Sequence, residues 1–219
     1  MAGVSIAVLQ LLPIFASMPM ARMEALGRLA TLRHVPRGDV VLREGENTSA
    51  IYFILNGALK VLVSDTEGRE VIITILGSGE MFGEMGAIDD NPRSATVIAT
   101  QASDLVVVSK SDFQHVMLNN FEISLFIMRG LAKRLRIADR KIESLALMDV
   151  YGRVARLLLD LAEEKDGQRI IHSRITKQDI AKMIGASREM VSRVMKDLQQ
   201  QGLMEETDNG IVLHDNLDA

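Results

Sequence analysis

"AIYFILNGALKVLVSDTEGREVIITILGSGE", residues 50–80, decides the fold of this chain. Its apolar runs are rich in Val, Ile, Tyr and Phe and are punctuated by Gly57, Gly68 and Gly77. Such residues suit a pleated, half-buried surface, and Gly, Asn and Asp mark the turns between strands. The same text extends back through "VVLREGE" (40–46), with Gly38 and Gly45, and forward past Gly83 to about Ser109. Short strands at near-constant spacing predict a β-sandwich, roll or barrel from Pro36 to about Ser109, with Ser64 to Glu70 as a hairpin tip.

The rest of the chain is read around that body. Its 219 residues allow one large or two modest domains. An apolar fraction of 47% with 25% charged residues is that of a chain that buries a core. The net charge of -4 gives the whole molecule no general attraction to DNA or anionic lipid, although a basic region can lie within it. With no cysteine, disulfides, iron–sulfur clusters and thiol catalysis are excluded. His34, His115, His172 and His214 are far apart and lack metal-ligand spacing, so no metal is expected. The N-terminal "VSIAVLQLLPIFASMPM" (4–20) has no basic leader and is interrupted by Pro13 and Pro19. It reads as a hydrophobic staple into a short helix over "ARMEALGRLA", and a cytoplasmic protein without a membrane anchor is expected.

Beyond the β region the period changes. Met128, Leu131, Leu135, Ala138, Ile142 and Leu145 are separated by 3, 4, 3, 4 and 3 residues, with Arg129, Lys133, Arg134, Arg136, Asp139, Arg140 and Lys141 between them. That is the a/d seam of a helix that meets another of its kind, which points to a homodimer; packing on its own domain is the alternative. "LMDVYGRVARLLLDLAEEKDGQ" (147–168) continues, after a hinge near Met148 and Asp149, as an amphipathic helix ending at Asp166-Gly167.

"ITKQDIAKMIGASREMVSRVMKDLQQQGLM" (175–204) reads as two short helices about a tight turn. Thr176 caps a helix with Ile180, Ala181 and Ile184 inward, and Gly185-Ala186 turns the chain. Ser187 then caps a second helix with Val191, Val194, Met195 and Leu198 inward. Arg188, Glu189, Ser192 and Arg193 face the other way, where a recognition helix presents side chains to base edges. Arg forks match guanine O6 and N7, and Glu accepts from cytosine N4. From Arg174 to Gly202 the cations Arg174, Lys177, Lys182, Arg188, Arg193 and Lys196 outnumber Asp179, Glu189 and Asp197, which suits phosphate contacts. The alternative is a solvated helical hairpin, or a signalling module that binds protein. "LMEETDNGIVLHD" follows as a hairpin about Asn209-Gly210.

"FGEMGAIDDNPRSATV" (82–97) is too polar for a buried strand and too rich in glycine for a stable helix. A short helical turn from Gly83 to Ala87 would expose N–H groups that favour an anion. Arg93 offers a fork for phosphate oxygens, Ser94 and Ala95 a hydroxyl and a backbone donor, and Glu84 an acceptor for a sugar hydroxyl. An acceptor for hydroxyl set against donors for phosphate suits a ribose phosphate.

Gly-Glu-Met-Gly followed by Pro-Arg-Ser-Ala resembles the phosphate-binding cassette of cyclic-nucleotide-binding domains, and the Glu84-to-Arg93 interval agrees with it. The C-terminal segment resembles the winged helix-turn-helix of the catabolite activator (CRP/FNR) superfamily, and the likeness covers nearly the whole chain in the family's order. It implies an α+β fold: an N-terminal β-roll of the double-stranded β-helix or jelly-roll kind over 1–120, a long dimerisation helix over 121–148 and a winged helix-turn-helix over 149–219. It also implies that Glu84 holds the ribose 2′-hydroxyl, that Arg93 and Ser94 hold the cyclic phosphate, and that Gly83 and Met85 line the cassette. Arg188, Glu189 and Arg193 would read bases, with Ser192 on the same face, while Thr176 and Ser187 would touch phosphates; Lys177 and Gln178 belong to the DNA-binding set. Double-stranded DNA with a pseudo-palindromic site and RNA polymerase are the implied partners. The effector is a cyclic nucleotide rather than a cofactor. Arg93→Ala is expected to weaken ligand binding and leave the fold intact.

The identity of the base stays open. Cyclic-AMP-binding members contact adenine through adjacent Thr and Ser on the dimer helix, where this chain has Ala138 and Asp139. A carboxylate fits the N1–H and N2 donors of guanine, although the N6 amine of adenine is also a donor. Arg136, Asp139 and Arg140 resemble clusters that hold cyclic di-GMP; a solvated charged face and a ligand-independent regulator are the other readings. No nucleophile–base pair, metal cluster or phosphate-transfer loop is visible, so an enzyme is not expected.

Overall fold

The computed structural model describes residues 3–165, 167–171, 175–207 and 210–214; His172, Arg174, Asp166, Asn209 and Asp215 lie outside them. The first part of the chain runs α1 (Ile6–Leu9), a 3-10 turn (Pro13–Phe15), α2 (Met20–Leu29), β1 (Thr31–Val35), β2 (Val40–Leu42), β3 (Ala50–Asn56) and β4 (Leu59–Ser64). It continues with β5 (Glu70–Leu76), β6 (Met81–Phe82), α3 (Met85–Ile88), β7 (Thr96–Ala99), β8 (Ser103–Ser109), α4 (Lys110–Asn119) and α5 (Phe121–Leu147). The remainder is α6 (Val150–Leu161), β9 (Glu163–Lys165), β10 (Gln168–Ile171), α7 (Lys177–Ile184), α8 (Arg188–Gln200), β11 (Met204–Thr207) and β12 (Gly210–Leu213). Two compact units result, Met1–Arg134 and Leu135–Ala219, and their boundary falls within α5.

In the first unit two four-stranded antiparallel sheets have the orders β1-β8-β3-β6 and β2-β7-β4-β5. The near-continuous apolar run of β3 has a structural cause, because both faces of the strand are buried. Tyr52 and Ile54 join a core with Leu59, Leu76, Val97 and Leu105 from both sheets. Ile51 and Phe53 face the opposite way, into a second core with Phe15, Phe113, Ile123 and Ile127 from the helices. The rings of Phe15 and Phe53 lie 5.1 Å apart, and Phe113 stands 6.2 Å from Phe53. The Ser64–Glu70 tip is a hairpin, as its sequence indicates. Asp65 accepts from the N–H groups of Glu67 and Arg69 at 2.9 Å and from Arg69 Nε at 2.6 Å.

The heptad reading of α5 needs one correction. Met128, Leu135, Ile142 and Leu145 are exposed in the single chain at 51%, 63%, 66% and 57%. Leu131, however, packs on the first unit's core beside Ile123 and Ile127. Leu131 follows Ile127 by four residues and so shares its side of the helix, and where α5 runs along the first unit's core this seam member is partly covered by it.

A second correction concerns the helix expected to reach Asp166-Gly167. It stops at Leu161, and Glu163–Lys165 forms a strand against β10, with Lys165 opposite Gln168 and Glu163 opposite Ile170. Gly167 has φ 75°, a conformation that serves a hairpin turn as readily as a helix terminus. Ladder hydrogen bonds to β10 supply what the local helical pattern could not anticipate.

In the second unit, sheet β11-β12-β10-β9 accompanies α6, α7 and α8. One core gathers Val154 and Leu158 of α6, Ile180 and Ile184 of α7, Val191, Met195 and Leu198 of α8, and Ile211 and Leu213 of β12. Among the described residues, no helix is long and apolar enough to cross a membrane.

Candidate functional site

The turn-like text of residues 82–97 folds into a loop with a charged interior. α3 spans Met85–Ile88, so the short helix lies slightly later than the expected Gly83–Ala87, and Glu84 occupies its N-terminal cap. Gly83 has φ 78°, and a Cβ there would stand 2.6 Å from Arg93 Nη1. A Cβ on Gly86 would run into the Thr48 hydroxyl and the Asn91 carbonyl. Both glycines are therefore demanded by close approach. The far side of the loop is pinned by backbone bonds from Arg93 N to Glu46 O at 2.8 Å and from Gly45 N to Arg93 O at 2.9 Å.

Among the described residues the buried polar ones are Glu84, Arg93 and Ser103, and two of these belong to this loop. Arg93 is 5% exposed. Its Nη1 donates to Gly83 O at 2.7 Å and its Nη2 to Ala50 O at 2.6 Å. Burial lowers its pKa below the ordinary arginine value, but an arginine stays charged. Glu84 is 1% exposed, and its Oε1 accepts from Arg134 Nη1 at 2.6 Å. Arg134 Nη2 donates to Met81 O at 2.7 Å, which ties α5 to the strand entering the loop. Burial raises the Glu84 pKa above its ordinary value, with Arg134 and then Arg93 pulling the other way. Ser94 is exposed, and its hydroxyl donates to Met85 Sδ at 3.9 Å, a weak contact. Met85 is 49% exposed and Ala95 is partly buried.

Arg134 is a residue that sequence reasoning missed, placing it only among the charges between seam positions. A signal was present: Ile123, Ile127 and Leu131 run at spacings of four, and Arg134 follows at three on the same stripe. A cation on a buried stripe needs a carboxylate, and Glu84 supplies it. Arg136, Asp139 and Arg140 are exposed on α5 in the second unit.

That unit builds its outer face on two side-chain caps. Thr176 Oγ1 accepts from Asp179 N at 3.0 Å and donates to Asp179 Oδ2 at 2.6 Å. Ser187 Oγ accepts from Met190 N at 3.2 Å. Gly185 turns the chain with φ 65° and ψ 47°, and Arg153 Nη1 donates to Ile184 O at 2.9 Å, satisfying a terminal carbonyl of α7. Val191, Met195 and Leu198 are buried, which leaves Arg188, Glu189 and Arg193 exposed and Ser192 partly so. The first-turn backbone N–H and the Ser187 hydroxyl hold the Glu189 carboxyl below its ordinary pKa, so it is an acceptor at neutral pH. Gln178 is exposed, and Lys177 Nζ lies 3.1 Å from Glu206 Oε1 on β11. Met190 is 44% exposed in the first turn of α8, an apolar side chain among the charged and hydroxyl groups that the sequence points to.

Comparison with known proteins agrees with both halves. Residues 32–120 match the model of the cyclic nucleotide-binding domain, and residues 152–216 match that of the Crp-like helix-turn-helix domain. The cAMP-activated global transcriptional regulator CRP of Haemophilus influenzae is 34% identical over 190 residues, 84% of each chain. The cAMP-activated global transcriptional regulator Vfr of Pseudomonas aeruginosa is 37% identical over 173 residues, 76% of this chain and 81% of that protein. Among solved structures, the c-di-GMP responsive global regulator CLP of Xanthomonas campestris is 29% identical with a TM-score of 0.71, covering 85% of this chain and 94% of that one. With a cyclic nucleotide-binding domain ahead of a Crp-like helix-turn-helix, and with such relatives along most of its length, the chain belongs to the CRP/FNR family of transcription regulators.

Proposed function

We propose that this chain is a homodimeric DNA-binding regulator whose β-roll binds a cyclic nucleotide and thereby shifts two recognition helices toward a DNA-competent state. The observation that carries the reading is the loop holding Glu84 at 1% and Arg93 at 5% exposure. Buried charges are costly unless paired, and a chain that places two of them on a glycine-shaped loop has a use for them. Glu84 Oε1 is taken by Arg134. A carboxylate has a second oxygen, and in this reading that oxygen accepts from the ribose 2′-hydroxyl. Arg93 and Ser94 hold the cyclic phosphate, and Gly83, Met85 and Ala95 line it. The exposed apolar residues Met128, Leu135, Ile142 and Leu145 are the dimer seam. Ligand acts through its differential affinity for the two states. A two-fold dimer calls for a pseudo-palindromic site with half-sites about one helical turn apart. RNA polymerase is the partner through which such a regulator acts on transcription.

Cyclic AMP is the effector proposed first, because the curated relatives are named as cAMP-activated regulators. Cyclic di-GMP is the second reading, favoured by the exposed Arg136, Asp139 and Arg140 of α5 and by the c-di-GMP responsive relative. Calorimetric titration of the whole chain against cyclic AMP, cyclic GMP and cyclic di-GMP decides between them. Saturable binding of cyclic AMP abolished by Arg93→Ala supports the first. Binding of cyclic di-GMP alone, lost in Asp139→Ala, replaces it with the second, and heat from none of the three sinks both.

On the DNA side Arg188, Glu189 and Arg193 read bases, with Ser192 on the same face, while Thr176, Lys177, Gln178 and Ser187 meet phosphates. The Lys177–Glu206 pair modifies that reading, because a carboxylate 3.1 Å from a phosphate-binding ammonium competes with the phosphate. Glu206→Gln is expected to tighten DNA binding by up to about fivefold per protomer, the equivalent of ~1 kcal/mol for an exposed pair. The plot of log K against log salt should steepen by up to ~0.9 per protomer. An unchanged slope in fluorescence anisotropy titrations would remove Lys177 from the interface.

A further inference from the structure

We infer that Met190 reads the C5-methyl group of a thymine in each half-site, an inference that rests on the DNA-binding reading of α8. Four apolar residues of this helix, Val191, Val194, Met195 and Leu198, belong to the core of the second unit or pack against it. Met190 is not among them and is 44% exposed. It sits in the first turn beside Arg188 and Glu189, with its backbone N–H fixed by the Ser187 hydroxyl at 3.2 Å. Arg193 is three residues on, and such residues neighbour each other on a helix surface.

The chemistry narrows its role. A thioether side chain has no donor and only a weak acceptor, so Met190 cannot hold a phosphate or fork onto a base edge. Arg188 and Arg193 suit guanine and Glu189 suits cytosine, so the polar readers of this turn all address G·C pairs. The apolar feature of the major groove is the thymine methyl, and it discriminates T·A from C·G at a position the charged side chains do not read. A flexible thioether also follows an irregular apolar surface better than a branched side chain. Met190 is therefore a specificity-determining residue for an A·T pair within a G·C-reading helix.

The test begins with selection of an operator from random duplexes by the whole chain, with its effector if one is required. Each thymine is then replaced in turn by deoxyuridine, which deletes only the methyl group. Wild-type protein should lose about fourfold in affinity per half-site at one symmetric position, the effect of one buried methyl. Met190→Leu should retain that sensitivity, and Met190→Ala should bind the thymine and deoxyuridine operators equally. Equal binding of both operators by the wild type at every thymine, or undiminished discrimination by Met190→Ala, overturns the inference and leaves DNA binding standing. Failure of any operator to be enriched overturns the DNA-binding reading itself, and the inference with it.

Discussion

Arg93→Ala is expected to weaken cyclic-nucleotide binding by roughly 30- to 5,000-fold, the equivalent of the ~2–5 kcal/mol lost when one partner of a buried charge pair is truncated. Isothermal titration calorimetry reads this directly, and unchanged affinity would reject the loop as the phosphate site. The structure alters what else should happen. From sequence the fold is expected to survive intact, but Arg93 donates to the carbonyls of Gly83 and Ala50. Truncation removes the donors of two partly buried acceptors, at a cost of about 1 kcal/mol each. A fall in Tm should therefore accompany the loss of ligand. Arg93→Lys, which keeps the charge but not the planar fork, should recover part of the stability and little of the affinity.

The second large effect concerns Glu84 and Arg134. Arg134→Ala leaves a nearly fully buried carboxylate without its ion-pair partner. Because Arg134 itself is 38% exposed, the destabilisation is expected nearer ~2 kcal/mol than the ~3–5 kcal/mol of a fully buried pair. A denaturation midpoint equal to wild type would show that the pair does not hold α5 to the loop. The pH dependence follows from the direction of the Glu84 shift. Its folded pKa is raised above 4.5, so the folded state binds this proton more tightly than the unfolded one. The contribution of this group to stability is thus greatest below 4.5, declines as pH rises to the raised pKa, and is flat beyond it. Ligand affinity runs the opposite way. The ionised carboxylate is the stronger acceptor for a sugar hydroxyl, so binding should strengthen as pH rises through the same interval. Glu84→Gln should bind weakly and with this dependence removed; an unaltered pH profile would reject Glu84 as the acceptor.

Much of this was legible in the sequence because the signals are local. The caps at Thr176 and Ser187, the left-handed Gly185 and the inward stripe of α8 follow from side chains within a few residues of one another. The Ser64–Glu70 hairpin tip is equally local, closed by Asp65 and Arg69. What escaped was non-local. The strand Glu163–Lys165 exists through its pairing with β10, and its own text reads as helix. Leu131 is partly covered because a core formed largely by residues far away in sequence packs on it. The Arg134 partnership spans fifty positions, from α5 back to the loop, and charge alone does not say which carboxylate a cation will meet.

By itself, the sequence determined the β-rich body, the long helix with its apolar seam, the helix-turn-helix and the glycine-shaped loop carrying Glu84 and Arg93. Each rests on periodicity, caps or turn chemistry acting over short separations. Tertiary structure alone decided that both loop charges are buried, that Arg93 is anchored on backbone carbonyls, and that Glu84 is paired with Arg134. The physical reason is that burial, and the partner a buried charge then requires, belong to the packed chain as a whole.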